Sequence, residues 1–396
     1  MDNSQPGVIV NEHTITSPPD ADRSALPLFI GYSERHPAFT LQAINDLSEY
    51  EKYFGGADPA IGAGRASILY YAVKHYFDNG GSGGFVLSLG SYAQAHASTE
   101  ADIVEAFADP RIASAVSGEM SITLLMIPDM VLLSDLSLLL WQRAWQTLLS
   151  LCRCRIGLFA LLETPDDPAS VRDCLTSFIG DDREWGAAYW PRLQTDYSAT
   201  DTPIVVPASA AIAAVMESVD EHSGIWVAPA NRALAQVVDT TYSYLWFDQH
   251  LVMGGASFNL IRSFAGRGTR VWGCRTLSVD ANSPMQYVQV RRLLSYIEVN
   301  LSQIARIFMF EPNNELTWFK VKGQMCSWLR NLWLQGGLYG TEQTQAFEVA
   351  LGLNETMTEE DLRAGLMIVK VRLSSMYPAE FIELSLQFDM SASTAG

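Results

Sequence analysis

The chain has no uninterrupted apolar run of the roughly 18 residues that a membrane-spanning helix needs. Its greasiest stretch, residues 122–162, is broken by Pro128, Asp129, Asp135 and Arg143. The opening Met1-Asp2-Asn3-Ser4-Gln5 offers no basic segment followed by an apolar one, so no signal peptide is expected. Basic charge is also short: 26 Lys and Arg stand against 44 Asp and Glu, a net charge of −18. That balance argues against partners that are nucleic acid or anionic lipid. The five cysteines (Cys152, Cys154, Cys174, Cys274, Cys326) are an odd number without metal-ligand spacing, and read as reduced structural thiols.

Catalytic signatures are missing too. There is no strand-to-helix Gly-x-Ser-x-Gly elbow, no His-Glu-x-x-His pair and no phosphate loop ending in Gly-Lys-Ser/Thr. Gly62-Ala63-Gly64 begins like a dinucleotide fingerprint but continues Arg65-Ala66-Ser67, without the third glycine. The run Gly80-Gly81-Ser82-Gly83-Gly84 precedes a strand rather than a helix, and reads as a turn. The six histidines are scattered. Asp166-Asp167 and Asp181-Asp182 read as solvated turns and helix caps. No catalytic residue, cofactor site or metal site is expected. The remote alternative is an α/β hydrolase whose triad forms only in the fold.

What is present is a chain that can bury cores, 48% apolar and 11% aromatic. Residues 27–90 read as β-α-α-β, with strands at Leu28-Phe29-Ile30-Gly31-Tyr32 and Phe85-Val86-Leu87-Ser88-Leu89. Strands and helices keep alternating through residues 122–179, and again at 204–227, where Gly224-Ile225-Trp226-Val227 reads as a strand. The fold class expected from this alternation is α/β and α+β. Helices are predicted over 287–306 and 315–335, the second stopped by Gly336-Gly337. On that helix Lys320, Gln324, Ser327, Asn331 and Gln335 form one polar stripe. Thr356 with Glu359 has capping-box spacing. The clearest strand is the last: Ile382, Leu384, Leu386 and Phe388 alternate with Glu383, Ser385, Gln387 and Asp389.

Charge divides unevenly. Residues 1–285 carry 17 basic and 32 acidic side chains, whereas 286–396 carry 9 and 12. The near-neutral last quarter suits burial among neighbouring subunits.

Three groups of motifs resemble the contractile tail sheath family. The first is Pro6-Gly7-Val8-Ile9-Val10-Asn11-Glu12, followed by Tyr53-Phe54-Gly55-Gly56 and by Tyr70-Tyr71-Ala72-Val73-Lys74-His75-Tyr76-Phe77-Asp78-Asn79-Gly80-Gly81. The second joins Ala187-Ala188-Tyr189-Trp190-Pro191, Gly224-Ile225-Trp226-Val227-Ala228-Pro229-Ala230-Asn231, and the stretch from Asn259-Leu260-Ile261-Arg262-Ser263-Phe264 to Trp272-Gly273-Cys274-Arg275-Thr276-Leu277. The third is Tyr287-Val288-Gln289-Val290-Arg291-Arg292-Leu293, then Phe310-Glu311-Pro312-Asn313-Asn314-Glu315 and Pro378-Ala379-Glu380-Phe381-Ile382.

The resemblance implies a compact two-domain sheath fold, its inner domain built from both chain ends around an inserted α/β middle domain. The implied divisions are an N-terminal arm (1–20), the N-terminal part of the inner domain (21–92), the middle domain (93–280), the C-terminal inner domain (281–378) and a C-terminal strand or arm (379–396). It further implies a non-enzymatic subunit that polymerises with itself as stacked hexameric rings around an inner tube protein. Such a polymer contracts to drive the tube through an envelope. Other implied partners are sheath paralogues, baseplate and cap proteins, with no nucleic acid and no membrane insertion. Assembly in the bacterial cytoplasm and residence in a phage tail or an extracellular phage-tail-like particle follow, and the compact middle domain favours an injection system. The alternative within the family is a low-copy paralogue or adaptor at a sheath end. The residues expected to be shared with neighbours are Val8, Ile9 and Val10 in one arm and Ile382, Leu384, Leu386 and Phe388 in the other. Lys320 and Lys322 are the expected tube-facing residues.

Overall fold

The computed structural model describes residues 24–180, 182–199, 202–242, 252–253, 256–280, 282–374 and 381–390. The chain begins with β1 (Pro27–Ser33), β2 (Leu41–Ile44), α1 (Leu47–Phe54), α2 (Leu69–Asp78) and β3 (Gly84–Ser91). This is the expected β-α-α-β run with one short strand added. The helices α3 (Tyr92–Ala97), α4 (Glu100–Phe107) and α5 (Pro110–Gly118) lead to β4 (Leu124–Met126), α6 (Leu138–Cys154), β5 (Phe159–Leu162), α7 (Pro168–Ser177) and β6 (Gly186–Trp190). Next come β7 (Leu193–Ala199), β8 (Thr202–Val206), α8 (Ser209–Ser223), β9 (Val237–Thr240), β10 (Val252–Met253), β11 (Ala256–Ser257), β12 (Asn259–Phe264) and β13 (Gly268–Val271). The last part holds α9 (Val288–Ile307), α10 (Glu315–Leu334), α11 (Gln343–Ala346), β14 (Phe347–Ala350), α12 (Glu359–Arg363), β15 (Leu366–Ser374) and β16 (Phe381–Asp389).

Eight strands form one sheet in the order β13-β12-β6-β5-β4-β1-β3-β2. The six inner strands run parallel, with antiparallel β2 and β13 at the two edges. Parallel pairing requires a crossover, and helices supply it on both faces. The strands are apolar on both sides for that reason. Leu28 and Ile30 of β1, Leu125 of β4 and Leu162 of β5 enter one core with α4, α6 and α7. Their neighbours Phe29, Leu124, Met126 and Leu161 enter the other with α2 and α8. The β13 edge is closed by residues 231–234: Asn231 N donates to Val271 O at 2.7 Å and Leu234 N to Thr269 O at 2.9 Å.

Since β1 pairs with β4 as well as β3, the boundary expected between residues 92 and 93 does not coincide with a break between sheets. Residues on either side of it share both cores.

A third core belongs to the last hundred residues. It gathers Leu293, Ile297 and Leu301 of α9, Val321, Met325 and Leu329 of α10, and Met367, Val369 and Val371 of β15, in front of the sheet β14-β15-β16. Ile225 joins it from the preceding region. This corrects one sequence expectation: Gly224-Ile225-Trp226-Val227 is a turn, closed by Val227 N donating to Gly224 O at 3.0 Å, and not a strand. Its apolar residues serve as a plug into the third core and make no ladder.

α9 ties the two regions together. Its first residue, Val288, packs in the second core and its N–H donates to Cys274 O at 2.9 Å. One turn on, Arg292 pairs with Asp220 of α8 at 2.6 Å, both buried. Ser24 donates to the same carboxylate at 2.5 Å and accepts from Arg292 through its carbonyl at 3.0 Å. Arg291 lies over the Trp185 ring at 4.1 Å and reaches Glu184 at 3.3 Å.

Candidate assembly surface

The alternating last strand is where the sequence puts a strand, and its pattern has a direct structural reading. β16 runs antiparallel to β15, with Leu384 opposite Val371, Leu386 opposite Val369 and Phe388 opposite Met367. Ile382 stands opposite Leu373 in the same register. Leu386 is buried in the third core, Leu384 and Phe388 pack against it, and Ser385 and Gln387 are exposed. β16 is an outer strand of its sheet, so among the described residues no strand pairs with its far side. Val8, Ile9 and Val10 lie outside the described residues, as does the connection 375–380 between β15 and β16.

α10 begins at Asn314, whose side chain accepts from Thr317 N, and ends before Gly336, whose φ of 92° suits glycine. Trp318, Val321, Met325, Leu329 and Leu332 are buried, one face at helical spacing. Lys320, Gln324, Ser327, Asn331 and Gln335 are all exposed, as the polar stripe predicts. The two lysines are not bare charges. Lys320 pairs with Glu311 at 2.8 Å and Lys322 sits 3.8 Å from Glu355. Sequence reasoning missed the apolar residues around the α9–α10 elbow. Phe310 and Phe319 are 78% and 77% exposed, and Ile307 and Leu316 accompany them. The signal was available, because Leu316 and Phe319 fall on the side of α10 opposite Val321 and Met325.

The short helix near residue 360 is capped differently from the expectation. Thr358 accepts from Asp361 N while Asp361 accepts from Thr358 N, a complete capping box. Thr356 is engaged instead with Gly352.

Several polar groups that the sequence singles out, or that lie at sheet ends, are engaged within the fold. At the C-terminal end of β4, where open α/β sheets often bind ligands, Asp129 is fully buried. Burial pushes its carboxyl up to about 6, against hydrogen bonds from Tyr32 N (2.6 Å), Ser67 Oγ (2.8 Å) and Ile68 N (2.8 Å). The Ser67 hydroxyl is buried and donates to that acid at 2.8 Å and to the Tyr32 carbonyl at 3.1 Å. His96 pairs with Asp58 at 2.8 Å, and Asp58 accepts from Ser67 N. These groups lock the start of α2 to the sheet. The Gly80-Gly81-Ser82-Gly83-Gly84 run has Gly-x-Ser-x-Gly spacing, but it leads from α2 into β3 and Ser82 Oγ donates to Glu217. Asp167 caps α7 through Ser170 N at 2.8 Å. Asp166 instead is half-buried and accepts from Thr241 Oγ1 at 2.7 Å and Arg192 N at 3.2 Å. No group of three or more metal-ligating side chains occurs among the described residues.

Comparison with known proteins gives this architecture a context. The chain superimposes over 98% of its length on 99% of a chain in the cryo-EM structure of the anti-feeding prophage (AFP) baseplate in the contracted state, with TM-score 0.83 and 39% sequence identity. A chain of the AFP helical sheath in the contracted state matches 97% of this chain over 99% of its own length, with TM-score 0.70 and 28% identity. The family described as the phage tail sheath C-terminal domain matches residues 280–389. The protein belongs to the contractile tail sheath family. A tail sheath protein of Vibrio phage KVP40 is 29% identical over 136 residues, 34% of this chain, and the chain spans only a fifth of that relative's length. As a sheath-family protein, it has its C-terminal family domain on the third core: α9, α10 and the β14-β15-β16 sheet fall inside the matched range. The motifs that carried the sequence resemblance thus lie on both sides of the α9 junction.

Proposed function

We propose that this chain polymerises as stacked hexameric rings around a rigid inner tube and contracts to drive the tube through a target envelope. The observation that carries this reading is the full-length similarity to chains of AFP assemblies, one a helical sheath and one a baseplate. Head-to-tail contacts between identical chains close into a ring where the rotation between copies allows it and grow a filament where it does not.

The strands at both chain ends are the proposed connectors. β16 satisfies β15 within one chain, and a β16 donated by a neighbour would make the same register, Leu384 to Val371 and Leu386 to Val369. The arm holding Val8, Ile9 and Val10 is proposed to pair on a neighbour in the same manner. Tube contact is proposed for Lys320 and Lys322. To bind the tube these lysines would trade Glu311 and Glu355 for acids of the tube. Exposed pairs of this kind are worth only about 0–1 kcal/mol each, which suits a grip that must slide. No step requires an enzyme or a cofactor. Paralogues, baseplate and cap proteins complete the proposed partners. Among the described residues no helix is long and apolar enough to cross a membrane; the proposed site of assembly is the bacterial cytoplasm and the final location the particle's sheath.

The test is negative-stain microscopy and sedimentation of the purified protein. Rods or sleeves are expected from the intact chain, and folded monomers after deletion of residues 379–396 or 1–17. A truncated chain that still forms sleeves overturns the connector role. A second reading, a paralogue confined to the sheath end, rests on the 39% identity to one baseplate chain; a chain of a second AFP baseplate structure is 27% identical, level with the helical sheath at 28%. Copy number per particle decides between them: a single ring's worth supports the end position.

A further inference from the structure

The β12–β13 hairpin concentrates positive charge in an acidic chain. Residues 259–275 hold four arginines and no acid, against a net charge of −18 for the whole. Arg262 and Arg270 stand directly opposite each other in the ladder, a like-charge pair that destabilises a hairpin left to itself. The Arg262 guanidinium lies over the rings of Phe264 and Trp272, at 4.9 and 5.4 Å, and Trp272 is exposed. Arg270 donates to carbonyls, Asn231 O at 2.9 Å and Arg267 O at 3.2 Å. Arg267 at the tip and Arg232 on the segment covering the β13 edge are both exposed. Among the described residues no carboxylate forms an ion pair with Arg232, Arg267 or Arg270. We propose that this hairpin is a docking surface for a second copy of the chain, which it meets on the acidic face of residues 98–109.

Charge complementarity is the first argument. Residues 98–109 carry Glu100, Asp102, Glu105 and Asp109 and no Lys or Arg. Asp102 and Glu105 are exposed and line a groove of about 330 Å³ with Phe39 of the turn before β2 and Leu89 of β3. Arg111 is the basic residue of that groove, and it is already paired with Asp109 at 2.7 Å. Shape is the second. A Cβ added at Gly266 or Gly268 would meet nothing within 4 Å, so the tip stands clear of the body and can enter a groove. Geometry is the third. β3 stands six places from β13 in the sheet, about 29 Å at the usual strand spacing. A hairpin fixed at one end of the sheet does not reach its own groove near the other. Each copy that offers its hairpin keeps its groove for the next, which makes the contact head-to-tail. The acidic balance of the chain favours another copy over nucleic acid as the occupant.

The inference rests on the self-association in the proposed function and fails separately from it. The experiment places a photo-cross-linking residue at the exposed tip, Ala265→benzoylphenylalanine, in the full chain mixed from light and heavy isotope preparations. Adducts joining light to heavy chains on peptides covering 92–111 are expected. Adducts within one chain, on other peptides, or none overturn the proposal. Arg270→Glu provides the second measurement. It sets an acid opposite Arg262, so the urea midpoint of the monomer should hold while self-association, read by sedimentation, weakens about tenfold. Unchanged association overturns the surface, as does binding of duplex DNA that Arg270→Glu abolishes while association persists. Sleeves that form equally well with Arg270→Glu sink this surface alone. The expected adducts without sleeves sink the ring reading and leave the surface standing.

Discussion

In the large sheet both faces of the parallel strands are covered, Phe29 and Leu161 by the core shared with α2 and α8, Ile30 and Ala160 by the core shared with α6. In the C-terminal sheet one face is covered. Met367, Val369 and Val371 of β15 are buried against α9 and α10, while Arg372, Glu348, Ser385 and Gln387 look outward. The large sheet also closes its β13 edge with its own residues 231–234, and the small one ends on β16. The first region closes one edge of its sheet within the chain and keeps β2 as the outer strand at the other. The second leaves an edge and a cluster of aromatic and aliphatic side chains at the α9–α10 elbow, the kind of surface that associates.

The largest effect that would break this comparison is expected in the first region. Trp145 is fully buried and donates to Glu163 O at 2.8 Å; Trp145→Ala should cost about 3–5 kcal/mol in urea unfolding. The same unfolding should show the C-terminal region surviving longer if the two are independent units. Asp220→Ala comes next. It leaves the Arg292 guanidinium buried beside Ser24 without its partner acid, an expected loss of about 3 kcal/mol. Hydrogen exchange should then resolve separate openings on either side of α9, and a single cooperative opening would mean that other contacts carry the junction.

A smaller effect concerns pH. Burial pushes the Glu163 carboxyl up to about 8 from a usual 4.5. A raised folded pKa means its contribution is fully present below the unfolded value and is lost as pH rises through the folded one. Stability should therefore decline between about pH 5 and 8, at up to roughly 1 kcal/mol per pH unit from this group. Glu163→Gln keeps the shape without the ionisation and should flatten that slope in thermal melts; an unchanged slope refutes the assignment. In the C-terminal region Thr358→Ala should cost about 1 kcal/mol by removing the capping box. Smallest of all, Lys320→Ala should change stability by less than about 0.5 kcal/mol while weakening co-sedimentation with tube. Equal binding would move the tube contact away from this stripe.

The helices α9 and α10 were legible because their apolar spacing is regular and Gly336-Gly337 marks a stop. β16 was legible from strict alternation. The capping box was not, since Thr356 with Glu359 and Thr358 with Asp361 share the same spacing. Only the loop geometry, which commits Thr356 to Gly352, selects between them. The Ile225 turn misled because a β-prone tetrapeptide can serve as a plug as readily as a strand. α3 to α5 carried signals that went unread, Ser91 with Gln94 and Thr99 with Asp102, both completed as capping boxes. At the candidate surface the polar stripe was visible in sequence. The acids that neutralise Lys320 and Lys322 were not, because Glu311 and Glu355 approach through the fold.

α9 has a mechanical meaning. Its 20 residues make a rod about 30 Å long, seated at one end in the second core and at the other in the third. A continuous hydrogen-bonded rod is stiff against bending, and its root is pinned by Arg291, Arg292 and the Cys274 carbonyl. Torque applied to the small sheet is therefore delivered to the large one with little lost in between. The compliance of any assembly built from this chain has to come from the segments outside that rod.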